Sequence, residues 1–296
     1  MRLLRVARAG RWHVRRFAAA AAPKEPLTLS SLEDGVTTIT MNNPAKYNGW
    51  TQPMMASLHA SLAAAANDGA TRAVVLTGAG KYYSAGVDLS GTIRPMWPRA
   101  LRAMIYANNK KVFDVFLDFP KPLVVAVNGP AIGATVTTST LADAIVASER
   151  ATFSTPFARL GVPPEGCSSV HFARLMGADG AARMLGDEGW APTAREALDA
   201  GLVTRVAAPD ALLAEAAALA RELAATPGYA RAHMGERDTA MMKRVNDAES
   251  HALADAFVSA DFLRRQAKFL KSKGKAGPAR VFETLVATRP LWAMLL

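Results

Sequence analysis

Residues 123–134 read LVVAVNGPAIGA. Leu123 to Val127 is an unbroken apolar run, the pattern of a strand buried on both faces of a parallel sheet. Asn128-Gly129-Pro130 stops it, and small residues from Gly133 open a helix. A second segment repeats the design. Ala73-Val74-Val75-Leu76 runs through Thr77-Gly78-Ala79-Gly80 to Tyr83-Ser84-Ala85-Gly86-Val87-Asp88-Leu89. In both, a buried strand meets a Gly-containing turn that opens toward a helix. Small residues let backbone approach a ligand closely, and an N–H at a helix start is a donor with no internal partner that favours negative charge. Two such donors aimed at one point make an oxyanion hole. The same residues also fit plain strand–turn–helix connections, and the pattern alone leaves both readings open.

On the amino-terminal side, Leu27–Leu32 and Val36–Met41 are strand-like runs joined by Glu33-Asp34-Gly35, a hairpin signal. Thr51 is placed to cap a helix whose core face is Met54, Met55, Leu58 and Leu62. On the carboxy-terminal side, helices are expected over 104–117, 168–175, 181–185, 193–200, 211–225 and 240–265, with strands at 144–147 and 202–206. Residues 274–278 read as flexible, and 279–296 as a short appended helix. Strands and helices alternate first and helices dominate the last third, which means an α/β core with a helical C-terminal region. The apolar face Ala252, Leu253, Phe257, Val258 and Phe262 needs cover, and a neighbouring subunit is the expected cover.

The 296-residue chain carries a net charge of +10, which invites a nucleic-acid reading. Its distribution argues otherwise. Residues 1–23 hold six arginines and no acid, residues 261–296 hold eight basic and two acidic residues, and the body between them is slightly acidic. Residues 1–22, Arg-rich and ending in an alanine run, have the composition of a transit peptide. The expected location is therefore the mitochondrial matrix, with a peroxisome-like organelle as the alternative. The terminal Met-Leu-Leu is not a peroxisomal signal of the S-K-L type. One cysteine, Cys167, excludes an internal disulfide framework, the five histidines show no metal-ligand spacing, and no apolar run is long enough to span a membrane.

SAGVDLSG at 84–91, NGPAIGA at 128–134 and the NPAKYN loop at 43–48 together resemble the crotonase (enoyl-CoA hydratase/isomerase) superfamily in order and spacing. The resemblance runs from about residue 27 to about residue 273. It implies stacked ββα units, a homotrimer or dimer of trimers, an acyl-CoA thioester substrate, no cofactor beyond the CoA of that substrate, and no metal. It places the oxyanion donors at the backbone N–H groups of Val87 and Ala134. It also divides the chain into a transit peptide (1–22), a crotonase-like core (23–210), a helical trimerisation region (211–275) and an extension (276–296).

Members of the superfamily share an enolate strategy and differ in their acid and base groups. The two glutamates of the hydratases would fall at Thr137 and Phe157, neither of which is acidic. The segment ATFSTPFARLGVPPEGCSS at 151–169 resembles that of Δ3,Δ2-enoyl-CoA isomerases, in which the glutamate corresponding to Glu165 is the single base. Its apolar neighbours Val162, Pro163, Pro164 and Cys167 are expected to raise its pKa by desolvation. A helix-start carboxylate is the alternative role for Glu165. By resemblance, the Lys46-Tyr47 loop and the backbone of Ser84, Ala85, Gly86 and Asp88, with Gly133, line the CoA path; Lys46 equally fits an ordinary surface lysine and Asp88 a turn-stabilising residue. Phe269 and Lys273 are candidates for holding the CoA phosphates; a solvated basic tail explains Lys273 equally well. The expected activity is Δ3,Δ2-enoyl-CoA isomerisation in fatty acid β-oxidation. Another crotonase chemistry such as hydration, or a non-catalytic CoA- or RNA-binding scaffold, remains open at this point.

Overall fold

The computed structural model describes residues 25–88, 97–272 and 274–295. The transit-peptide segment and Lys273 lie outside the described residues.

Strands β1 (Thr28–Glu33) and β2 (Val36–Met41) form the expected antiparallel hairpin, with Asp34 and Gly35 at φ 49° and 78° in the turn. Next come α1 (Gln52–Asn67), β3 (Ala73–Gly78), α2 (Pro98–Leu117) and β4 (Leu123–Val127). They are followed by β5 (Ala131–Ile132), α3 (Ala134–Ser139), β6 (Ala144–Ser148), β7 (Phe153–Ser154) and α4 (Phe157–Leu160). Then come α5 (Ser168–Leu185), α6 (Ala194–Asp199), β8 (Arg205–Ala207) and α7 (Leu212–Ala225). The described chain closes with α8 (Thr239–Phe257), α9 (Ala260–Ser272) and α10 (Ala276–Trp292). The main sheet has the order β1-β2-β3-β4-β6-β8, parallel except for the hairpin, and β5 pairs with β7 in a separate two-stranded parallel ladder.

Period-2 alternation sends the buried strands' side chains to two cores. Ile39, Val74, Leu76, Val125, Val127 and Ile145 pack with α1 and α2 on one face. Val36, Ala73, Val75, Val124, Ala126 and Val146 pack against Leu212, Ala216, Leu219 and Ala220 of α7 on the other. Helix α7, which the sequence groups with the C-terminal helices, thus covers the sheet. Thr51 caps α1 as expected, its side chain accepting from Met54 N at 3.2 Å. Replacing Thr51 by alanine should lower unfolding stability by about 1 kcal/mol, read from denaturant melts; an unchanged midpoint would contradict the cap.

Several expectations need correction. Helix α2 starts at Pro98, six residues earlier than read. The two helices expected over 168–185 form one run interrupted at Gly177, whose φ 75° and ψ 167° are non-helical. Strand β8 begins at Arg205 rather than at Leu202. The single helix expected over 240–265 is two, α8 and α9, because the Ser259 side chain accepts from Phe262 N at 3.2 Å and starts a new helix. Residues 276–278, expected to be flexible, already belong to α10.

The apolar face of α8 and α9 is also covered differently. Leu253, Phe257 and Phe262 form a buried cluster with Ile105 and Leu263, and Phe282, Leu285, Val286 and Trp292 of α10 pack on it. Arg289 Nε donates to Val258 O at 3.1 Å, and Lys271 pairs with Glu283. The face is closed by the chain's own last helix, so it gives no reason to invoke a second subunit; Ala252 alone of that set is exposed.

Candidate active site

The two Gly-containing turns leave adjacent parallel strands, β3 and β4, at the same edge of the sheet. They are laddered to each other. Ser84 bridges Ala131, Ile132 N donates to Ser84 O at 3.1 Å, and Tyr83 N donates to Pro130 O at 3.1 Å. Gly86 has a φ of 84°, and a Cβ there would sit 2.6 Å from Ile132 O. Only glycine lets the first turn approach the second this closely. Gly129 meets the same constraint, since a Cβ there would collide with Lys81 O.

This ladder aims two donors. Trp50 bridges Val87 through Trp50 N to Gly86 O at 2.8 Å and Asp88 N to Trp50 O at 3.1 Å. Backbone alternation therefore turns the N–H of Val87 away from Trp50. Gly133, at φ 63° and ψ −129°, precedes α3 and donates its N–H to Ser154 O at 2.7 Å in the β7 segment. Ala134 is then the first residue of α3, whose N–H has no intrahelical acceptor. Among the described residues neither the Val87 nor the Ala134 N–H finds an acceptor, and both residues line one cavity.

That cavity measures about 170 Å³. Its floor is Ala85, Gly86, Val87, Ile132, Gly133 and Ala134. Its walls are largely apolar: Met55 of α1, Ile105, Val112 and Phe113 of α2, Leu160 of α4, and Leu253 and Phe257 of α8. Glu165 lines the same cavity. It precedes a turn in which Gly166 and Cys167 take φ 67° and 66°. A Cβ at Gly166 would crowd Phe113 and lie 2.6 Å from Thr137 Oγ1, so the turn is pressed into the wall and the carboxyl group it carries is held against the cavity.

No described residue donates to the Glu165 carboxyl. Burial first, and the charge of Glu249 second, push its pKa up to about 8. The two positions where the hydratase glutamates would fall are occupied otherwise. Thr137 is buried with its hydroxyl donating to Ala134 O at 3.1 Å, and Phe157 turns a ring to the cavity. The cavity thus brings one carboxyl group, two free backbone donors and apolar walls together. That set can move a proton beside a developing oxyanion.

The remaining expected contacts separate into two groups. Ala85, Gly86 and Gly133 line the cavity. Ser84 is fully buried and is not among the residues that line the cavity; its hydroxyl donates to Asn48 O at 2.8 Å and accepts from Gly86 N at 3.2 Å, which builds the turn. Lys46 and Tyr47 are exposed beside the first turn, with Ala85 N donating to Tyr47 O at 2.9 Å and the Tyr47 ring 4.7 Å from that of Tyr82. Asp88 is exposed and outside the cavity wall, and Phe269 is half-exposed on α9.

Asn48 escaped the sequence reading. Fully buried at φ 51°, it accepts from Asn43 N at 2.9 Å and donates to Ala79 O and Tyr82 O at 2.9 Å each. It ties the 43–48 loop to the turn before Val87. Asn128 does the same for the second turn, accepting from Gly78 N at 3.2 Å and donating to Gly80 O at 2.9 Å. Each asparagine follows a strand or short helix in the sequence; nothing in that context distinguishes it from a surface turn residue.

Among the described residues there is no group of three or more His, Cys, Asp and Glu side chains placed to hold a metal, and no helix long and apolar enough to cross a membrane.

Residues 31–273 match the sequence profile described as enoyl-CoA hydratase/isomerase. The enoyl-CoA delta isomerase 2 of Rattus norvegicus is 46% identical over 184 residues, covering 60% of this chain and 45% of that protein. The enoyl-CoA delta isomerase 2 of Homo sapiens is 36% identical over 258 residues, covering 85% of this chain and 64% of that protein. The chain thus spans less than two thirds of the length of these relatives. A solved structure, an enoyl-CoA hydratase/isomerase from Pseudoalteromonas atlantica T6c, superposes with a TM-score of 0.71 at 30% identity, covering 83% of this chain and 97% of that one.

Proposed function

The chain belongs to the enoyl-CoA hydratase/isomerase family, and from that membership we propose that it is a Δ3,Δ2-enoyl-CoA isomerase, moving a double bond of an unsaturated acyl-CoA from C3 to C2. The observation that carries this reading is the single carboxyl group of Glu165 on the wall of a cavity that also holds the N–H groups of Val87 and Ala134.

The carbonyl oxygen of the thioester accepts from both N–H groups. Glu165, ionised, takes a proton from C2, and the electron pair moves into the thioester carbonyl as a dienolate. The two donors stabilise the charge that develops on oxygen. The protonated Glu165 returns the proton at C4 as the electrons flow back, forming the C2–C3 double bond. One base serves both carbons because they sit on the same face of one carboxyl group. Hydration needs a second carboxylate to hold and activate water; Thr137 and Phe157 supply none. Lys46 and Tyr47, exposed beside the first turn, are offered as contacts for the CoA arm, and Phe269 is offered on the family resemblance.

Location and assembly are part of the same proposal. The Arg-rich residues 1–22 support the mitochondrial matrix, and the mouse relative named as peroxisomal keeps the peroxisome as the alternative. A trimer rests on the family resemblance.

The test is product analysis with 3-hexenoyl-CoA and 2-hexenoyl-CoA in parallel. The expected result is conversion of the first to 2-hexenoyl-CoA, with no 3-hydroxyhexanoyl-CoA from either. Hydroxyacyl product as the main species would replace this reading with the hydratase one. No turnover of either substrate, with salt-dependent RNA binding by residues 24–296, would favour the scaffold.

A further inference from the structure

Eighty-two positions beyond Cys167, a second carboxylate is buried against the turn that carries the base. Glu249 of α8 is 6% exposed. Its Oε2 accepts from Cys167 N at 2.6 Å and its Oε1 from Ser169 N at 2.8 Å. These are the N-cap and second residues of α5, so the carboxylate occupies that helix's positive end from another element. Helix α8 grips the same turn once more, Cys167 Sγ donating to Met242 O at 3.2 Å. Ser168 Oγ closes the loop by donating to Glu165 O at 2.8 Å.

The grip has a conformational reason. Gly166 and Cys167 are consecutive left-handed residues, and for Cys167 that conformation is unfavourable for an L side chain. Unheld, the turn relaxes and takes Glu165 with it. We propose that Glu249 is a positioning residue for Glu165, its carboxylate clamping the turn that presents the base and setting a second buried negative charge beside it. The proposal rests on Glu165 being the base of the reaction above.

Two consequences separate this role from a merely structural one. The charge disfavours ionisation of Glu165, so Glu249 helps decide the pH at which the base becomes available. The other ionisable groups about the pair are Cys167, whose thiol is pushed up by burial, and Asp114 of α2, which pairs with Lys110 and accepts from Asn246 at 3.0 Å. Neither offers Glu165 a compensating positive charge. Glu249 is itself held partly toward its neutral form by burial, so the two carboxyls titrate as a pair.

The experiment measures Glu165 directly. The full chain is labelled with 13C at glutamate carboxyls, the Glu165 resonance is assigned by its absence in Glu165→Gln, and it is titrated in wild type and in Glu249→Gln. The expected result is a midpoint about one unit lower in Glu249→Gln, with kcat for 3-hexenoyl-CoA down about 10-fold to 100-fold and KM nearly unchanged. A folded Glu249→Gln with the wild-type midpoint overturns the proposal. Glu249→Asp, which keeps the charge and shortens the reach, covers the case in which the glutamine variant does not fold. It should retain the raised midpoint and lose kcat, and a wild-type kcat there overturns the clamp. If Glu165→Gln turns over 3-hexenoyl-CoA as fast as wild type, the assignment of Glu165 as the base fails instead, and if wild type does not turn it over the isomerase assignment fails, whatever the titration shows.

Discussion

Glu165→Gln should abolish isomerisation of 3-hexenoyl-CoA to within background, a loss of about 10³-fold or more in kcat with KM little changed. General-base catalysis contributes on the order of 10²–10⁴-fold, and no other described carboxyl or imidazole lines the cavity to take over. The wild-type pH profile follows from the same group. Its pKa is raised to about 8, and only the ionised form accepts a proton, so kcat/KM should climb about tenfold per pH unit up to that point and then level. Stability runs the opposite way. A carboxyl whose folded pKa lies above its unfolded one binds more protons folded than unfolded between the two values, so stability contributed by its neutral form is present at acid pH and lost as pH rises toward 8. Glutamine carries no such penalty. The dead variant should therefore gain in Tm relative to wild type as pH increases from 5 to 8, measured by thermal melts in parallel. A variant that loses activity and also loses stability at every pH would show that Glu165 is a structural carboxylate and not a base.

Gly86→Ala should cost about 10²-fold in kcat while leaving the fold intact. The added Cβ would approach Ile132 O to 2.6 Å, and the φ of 84° adds strain for any L residue. Relief requires the two turns to separate, which moves the Val87 N–H off the oxyanion position. Losing one preorganised donor in such a site costs about 10²–10³ in rate, or about 2.7–4 kcal/mol of transition-state stabilisation. The signature is a fall in kcat with a far-UV spectrum like that of wild type. Gly277, in α10 and free of close neighbours, is the control position: alanine there should leave kcat unchanged. Full activity in Gly86→Ala would mean that Val87 N–H does not hold the oxyanion.

The two Gly-containing turns were legible because they follow the strongest strand signals in the chain, and a buried parallel strand is a local pattern. The Asp34-Gly35 hairpin and the Thr51 cap were legible for the same reason: each is decided within a few residues. Glu165 was visible only through resemblance to relatives, since a single glutamate among prolines has no local signature. What escaped was set by distance in the sequence. Glu249 meets Cys167 from another helix, and Asn48 meets Tyr82 from another loop. Strands β5 and β7, two residues each, are too short to show a period, yet they hold Gly133 in place. The α8–α9 break was hidden because apolar residues recur on both sides of Ser259, and periodicity does not register a capping hydroxyl. The cover of the α8 face was misjudged because hydrophobic burial says that a partner exists without saying which chain supplies it.

That cover bears on what braces the cavity wall. Phe257 and Leu253 line the cavity on one side and meet the α10 side chains on the other, and α10 begins only after the stretch that matches the family profile. The sheet, both Gly-containing turns and the Glu165 loop all lie before α10 in the sequence. Leu253 and Phe257 are therefore backed, on the side away from the cavity, by a segment outside the profile match. Truncation before residue 276 would expose that side to water while leaving every cavity-lining residue in the chain.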